Sequence, residues 1–179
     1  MRFFWYFMIY SYLGFLLEKG FAAATGGRKE RKCRFLLPLC PVYGLGAVAL
    51  VALPASMQGN PGMLILCAAL VTSATEYAVG TFYWRCLGVR FWDYGDLPLN
   101  VQGRVCLYFS MAWGALSLVL LRLVHPFVAA AAALLPVWAA WPLAALFACD
   151  TLFTYYLLAR FRDIRRLTWR WEAAQVSTD

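Results

Sequence analysis

Three carboxylates and one guanidinium stand where an apolar chain can least accommodate them. Between Arg34 and Arg85 the only formal charge is Glu76, between Arg122 and Arg160 it is Asp150, and Glu18 lies inside the first apolar segment. A carboxylate at the centre of a bilayer costs about 3 kcal/mol on insertion scales, so such groups face partners inside a bundle. Arg104, entering a further apolar segment, is the natural counter-ion, because a guanidinium matches carboxylate and phosphate alike. Together these residues could hold a cation neutralised by the acids, or a polar or anionic head group. A buried carboxyl with a raised pKa could also serve as a general acid. The same set equally suits a structural ion-pair network that fixes helix register.

Helices must position them. At helical spacing Ser11, Gly14 and Glu18 share a face, as do Thr72, Glu76 and Gly80, and as do Asp150 and Thr154. Small and hydroxylated stripes of this kind mark close helix contacts in membranes. The segment FWDYGDLPLNVQGR could bring Trp92, Asp93, Tyr94 and Asn100 to meet the acids before Arg104 enters the next helix.

The chain is 63% hydrophobic and 17% aromatic, with a mean hydropathy of +0.64. That composition selects a bilayer as solvent, and at 179 residues one membrane domain is expected, with no room for a separate catalytic or nucleotide-binding domain. A crossing needs about 20 apolar residues. Five segments meet this approximately: Phe3–Ala24, Leu39–Met57, Met63–Trp84, Val105–Leu121 and Val137–Ala159. The expected fold is all-α, a polytopic helical membrane protein with five transmembrane helices. Pro126–Leu135 is expected as a short interfacial segment before the last. The expected domains are a single transmembrane unit over 1–160 and a basic amphipathic cytoplasmic tail over 161–179, with Phe161, Ile164, Thr168 and Trp171 on one face.

Basic residues crowd the first loop, the third loop and the tail, while SMQGNPG carries no charge. The asymmetry places those basic segments in the cytoplasm and the N-terminus outside. The net charge of +7 thereby reads as a topology signal, with anionic lipid as the expected partner at the cytoplasmic face and no nucleic acid. The first segment is read as a retained anchor, because Glu18 and Lys19 interrupt it and the strongest positive charge follows it. Six cysteines include no CxxC pair, and the single histidine, His125, falls on the opposite side from Cys33, Cys40, Cys86 and Cys106. Neither disulfides nor a metal site are expected, and no cofactor.

YSYLGFLLE, CPVYGLG, TEY and FWDYGDLPLNVQGRVCL follow one another in an order and spacing that resemble the CmpB-type putative ABC-transporter permease family. Gly14, Glu18, Cys40, Tyr43, Glu76, Trp92, Asp93, Tyr94, Asn100, Arg104, His125 and Asp150 fit its pattern. This chain departs from it at CRF and LP before the Cys40–Pro41 pair and at Trp84, where a second glutamate is common. The resemblance implies a small multipass protein of the bacterial inner membrane, a permease-type transport component. GGRKERKC lacks the spacing of a phosphate-cradling loop, so ATP use would fall to a separate ATPase subunit. An integral membrane enzyme acting on a lipid or isoprenoid phosphate is the alternative, with Glu76 or Asp150 as acid or base and Arg104 holding the phosphate. A membrane assembly or accessory protein is the third class.

Overall fold

The computed structural model describes residues 1–25 and 37–167. It is built almost entirely of helix: α1 (Arg2–Ala24), α2 (Pro41–Val51), the single turn α3 (Ala55–Gly59), α4 (Pro61–Phe82), α5 (Leu107–Val119), α6 (His125–Leu134) and α7 (Val137–Phe161). Local chemistry sets several boundaries. Pro41 and Pro61 open α2 and α4, where a missing N–H has no cost, and the Asn60 side chain caps α4 by accepting from Gly62 N at 2.9 Å and Met63 N at 3.1 Å. α4 ends in a π-helical turn, Tyr83–Leu87, closed by Gly88 at φ +67°.

The all-α expectation holds, but by length and apolarity the spans number three, not the expected five. Among the described residues three helical stretches are both long and apolar enough to cross a membrane: Pro61–Leu87, Leu107–Leu134 and Val137–Phe161. The expected second span is interrupted. α2 has 11 residues, about 17 Å of helix, and Pro54 separates it from α3. α1 has the length, 23 residues, but Glu18, Lys19 and its tyrosines lower its apolarity.

The expected interfacial segment is also corrected. Pro126 does not end the helix, because a π-helical turn over Leu120–Val124 widens the backbone just ahead of it and the chain continues as α6. A widened turn accommodates both the ring and the missing N–H of proline, so α5 and α6 form one 28-residue rod.

α1 packs against α2 and α6, α4 against α2 and α5, and α7 against the π-turn that ends α4. Two apolar clusters organise the bundle. One gathers Trp5, Tyr6, Tyr10, Ala47, Val128, Ala132 and Ala140, and the other Cys40, Tyr83, Leu87, Val89, Phe91, Leu158 and Leu167. α2 and α7 each contribute to both, so the clusters lie one beyond the other along the bundle, with α2 running opposite to α7. Leu167, in a short 3₁₀ turn with Ile164, seats the start of the expected tail on the second cluster; residues from 168 onward, and the basic stretch 28–34, lie outside the described residues.

Candidate functional site

The segment between α4 and α5 is a stitched hairpin that folds back on the helices. β1 (Asn100–Val101) pairs antiparallel with β2 (Val105–Cys106) around a Gln102–Gly103 turn, both residues at positive φ, with Arg104 N donating to Val101 O at 3.1 Å. Two positive φ values define the turn type whose twist suits a hairpin. Asn100 and Asp93 hold the loop from inside. Asn100 Nδ2 donates to Leu97 O at 2.8 Å and its Oδ1 accepts from Gly103 N at 3.0 Å. Asp93 accepts from Gly95 N at 2.9 Å and pairs with Arg90.

This arrangement sends Tyr94 back alongside α4. Its hydroxyl donates to Glu76 Oε1 at 2.8 Å while its ring stacks on Phe109 at 4.8 Å. Glu18 is held in a parallel manner by the hydroxyl of Tyr43, one turn into α2. Both carboxylates are buried, and both line one cavity of about 90 Å³. Its remaining wall is Tyr43, Trp92, Trp113, small or aliphatic residues of α2, α5 and the π-turn after α5, and Thr72, Thr75 and Ser117. A few charged groups in a mostly apolar hollow between helices is the usual make-up of a small-ligand site.

Asp150 and Arg104 do not line that cavity. Asp150 Oδ1 accepts from Leu37 N at 3.1 Å, tying α7 to the chain ahead of α2. Arg104 is buried in a separate hollow, where Nη1 donates to Gln102 Oε1 and the guanidinium lies 4.9 Å from the Trp84 ring centre and 5.3 Å from that of Tyr77. Among the described residues no carboxylate pairs with it, and Nε has no hydrogen-bond partner. Cation–π contacts contribute roughly 1–2 kcal/mol each, whereas burying an ion costs several kcal/mol. Trp92 links the two places: its ring lines both hollows, and Nε1 donates to Arg104 O at 2.8 Å.

Of the other candidates, Cys40 is buried at the start of α2, its N–H donating to Ser11 O at 2.9 Å. No cluster of three metal-ligating side chains occurs among the described residues. Trp113 escaped the sequence reading; it stands on α5 amid a seam of the small residues Ser110, Gly114 and Ser117. The seam itself packs on α4, with Ser73 Oγ donating to Ser110 Oγ at 2.6 Å. Trp113 lies one turn from both Phe109 and Ser117, and that spacing is the signal that could have marked it.

A family model described as Putative ABC-transporter type IV matches residues 5–155, in agreement with the resemblance read from the motifs. No curated protein and no solved structure matches the chain.

Proposed function

Since the chain belongs to the Putative ABC-transporter type IV family, we propose that it is a permease-type membrane component whose ligand site is the cavity between Glu18 and Glu76. One observation carries the reading: carboxylates from two different helices open onto a single apolar, aromatic-walled cavity. A small organic cation suits such a site. A cation there would lie between the two carboxylates, and Trp92, Trp113 and Tyr43 offer ring faces at which a desolvated cation is further stabilised. Asp150 and Arg104 are assigned other work, the first as a brace between α7 and the segment before α2.

The same proposal puts the protein in the bacterial inner membrane with the N-terminus outside and the C-terminus in the cytoplasm. α1 joins the crossings because its polar residues Ser11 and Glu18 are buried against protein while Phe3, Tyr12, Leu16, Leu17 and Phe21 face outward. α2 packs on it as a short returning helix. Energy would come from a separate ATPase subunit, and purified chain alone should neither bind nor hydrolyse ATP.

The test compares small metabolites in cells lacking the gene and in cells complemented with wild type, Glu18→Gln or Glu76→Gln at matched protein levels. Wild type should restore an altered pool of amine-bearing compounds, and neither variant should. Full restoration by both variants would reduce the acids to a brace.

A further inference from the structure

We propose that the hollow around Arg104 is an anion site built for a phosphate group, distinct from the Glu18–Glu76 cavity. Arg104 and Arg90 both line it, with Gln102, Trp84 and Trp92. The two guanidiniums stand over the same indole, Arg104 at 4.9 Å and Arg90 at 5.5 Å from the Trp84 ring centre. Like charges gathered on one ring repel unless an anion joins them. Asp93, ion-paired with Arg90 at 2.5 Å on the rim, opposes an incoming anion; among the described residues Arg104, Arg90 and Asp93 still leave a net charge of +1.

Arg104 is the stronger observation. It is only 8% exposed, its Nε is unpartnered among the described residues, and the acceptor that meets its Nη1 is the neutral carbonyl oxygen of Gln102. That oxygen also accepts from Tyr77 OH at 3.1 Å, so the amide is held where an anionic oxygen would be better matched to the guanidinium. The turn at Gln102–Gly103 fixes this placement. A phosphate carries enough oxygens to accept from Arg104 and Arg90 together. The hollow admits only about 10 Å³, so the phosphate oxygens enter it while the remainder of the ligand stays outside, beside the half-exposed Trp84.

The shared chemistry is a phosphate group, carried by a lipid head group or by free phosphate, and equilibrium binding separates the two. Delipidated full-length protein in uncharged detergent is titrated with labelled dioleoylphosphatidylglycerol, with dioleoylglycerol, and with inorganic phosphate. Wild type should bind one phosphatidylglycerol saturably and dioleoylglycerol at least about ten-fold more weakly, the factor lost with a charge-assisted hydrogen bond. Competition by millimolar phosphate would assign the site to the free ion as well; no competition would assign it to lipid. Arg104→Gln should weaken binding about ten-fold or more, and Arg90→Gln, a rim change that does not put folding at stake, about three-fold. Glu76→Gln should leave binding unchanged, which separates this site from the proposed cation cavity. Should Arg104→Gln fail to fold, Arg104→Lys keeps the charge and should still bind several-fold more weakly for loss of the planar fork. Equal binding of the two lipids, or Arg90→Gln together with a folded Arg104 variant matching wild type, would overturn the proposal.

Discussion

Glu76 and Tyr94 lie on different elements yet share one buried hydrogen bond, and the two partners should respond differently to substitution. Glu76→Gln keeps an acceptor for the Tyr94 hydroxyl and removes the desolvation cost of a charge, so thermal stability in detergent should be unchanged or higher. Tyr94→Phe leaves the carboxylate buried without that donor and should cost about 1–3 kcal/mol. A Gln variant less stable than the Phe variant would contradict this account. The acids themselves were legible in the sequence, because an isolated charge in an apolar run needs a reason. Their partners were not. Glu18 and Glu76 meet at one cavity while Asp150 and Arg104 do not, and shared depth along parallel helices cannot tell those cases apart, since it fixes height and leaves direction around the bundle open.

At the scale of elements, the α1–α2 contact depends on two glycines that admit no methyl group. A Cβ on Gly44 would fall 2.2 Å from Ser11 Oγ and 2.6 Å from the Phe7 carbonyl oxygen, and one on Gly14 would meet the Tyr43 ring at 2.4 Å. Gly44→Ala should therefore destabilise by about 1–3 kcal/mol or more, and it should loosen Tyr43 from Glu18. Gly46 is the control two residues on: nothing lies within 4 Å of its Cβ position and it lines the cavity. Gly46→Ala should unfold like wild type and alter ligand selectivity alone. The hairpin gives a second contrast. Gly103, at φ +70°, would place a Cβ 2.3 Å from Asp93 Oδ1, so Gly103→Ala should disorder the turn that carries Arg104. Asp93 also makes the turn acid-sensitive. The Gly95 N–H holds its carboxyl below the ordinary carboxylate range, against the opposing effect of burial and with help from Arg90. A depressed folded value contributes stability above the unfolded pKa of about 3.9 and loses it as pH falls through the folded one. The turn should thus be constant from neutral pH down to about 4 and loosen below, read as exchange of the Gly103 and Arg104 amides. The hairpin was hard to read from sequence because Gln–Gly is a weak turn signal beside Asn–Gly, and each strand has only two residues. The α5–α6 rod was missed for a related reason: proline is read as a break, and a π-turn that absorbs it leaves no mark of its own in the sequence.

For the whole molecule the open question is what α1 and α2 do in the bilayer. α4, α5–α6 and α7 are long and apolar enough for three crossings, which alone would put the chain from its N-terminus to Gly59 on one side and the segment around Asp96 on the other. Averaged hydropathy undervalues α1, whose 23 residues reach about 35 Å and whose Glu18 and Ser11 are turned into the bundle, not toward lipid. Its outward face is apolar apart from Arg2 and Lys19, and the basic stretch that follows opposes residence outside the cell. Single cysteines labelled from outside intact cells, in a background whose native cysteines are replaced, resolve this. Gly59 and Leu135 should label, whereas Asp96 and Gln175 should be protected; that pattern follows from either three crossings or five. Lys29 is the deciding position. Protection there means that α1 crosses and that α2, though only 11 residues, returns the chain, and that is the expected result. Labelling of Lys29 together with Gly59 would leave α1 and α2 packed on a three-crossing core, and the Glu18–Glu76 cavity would then have to be reached from the side on which the N-terminus lies.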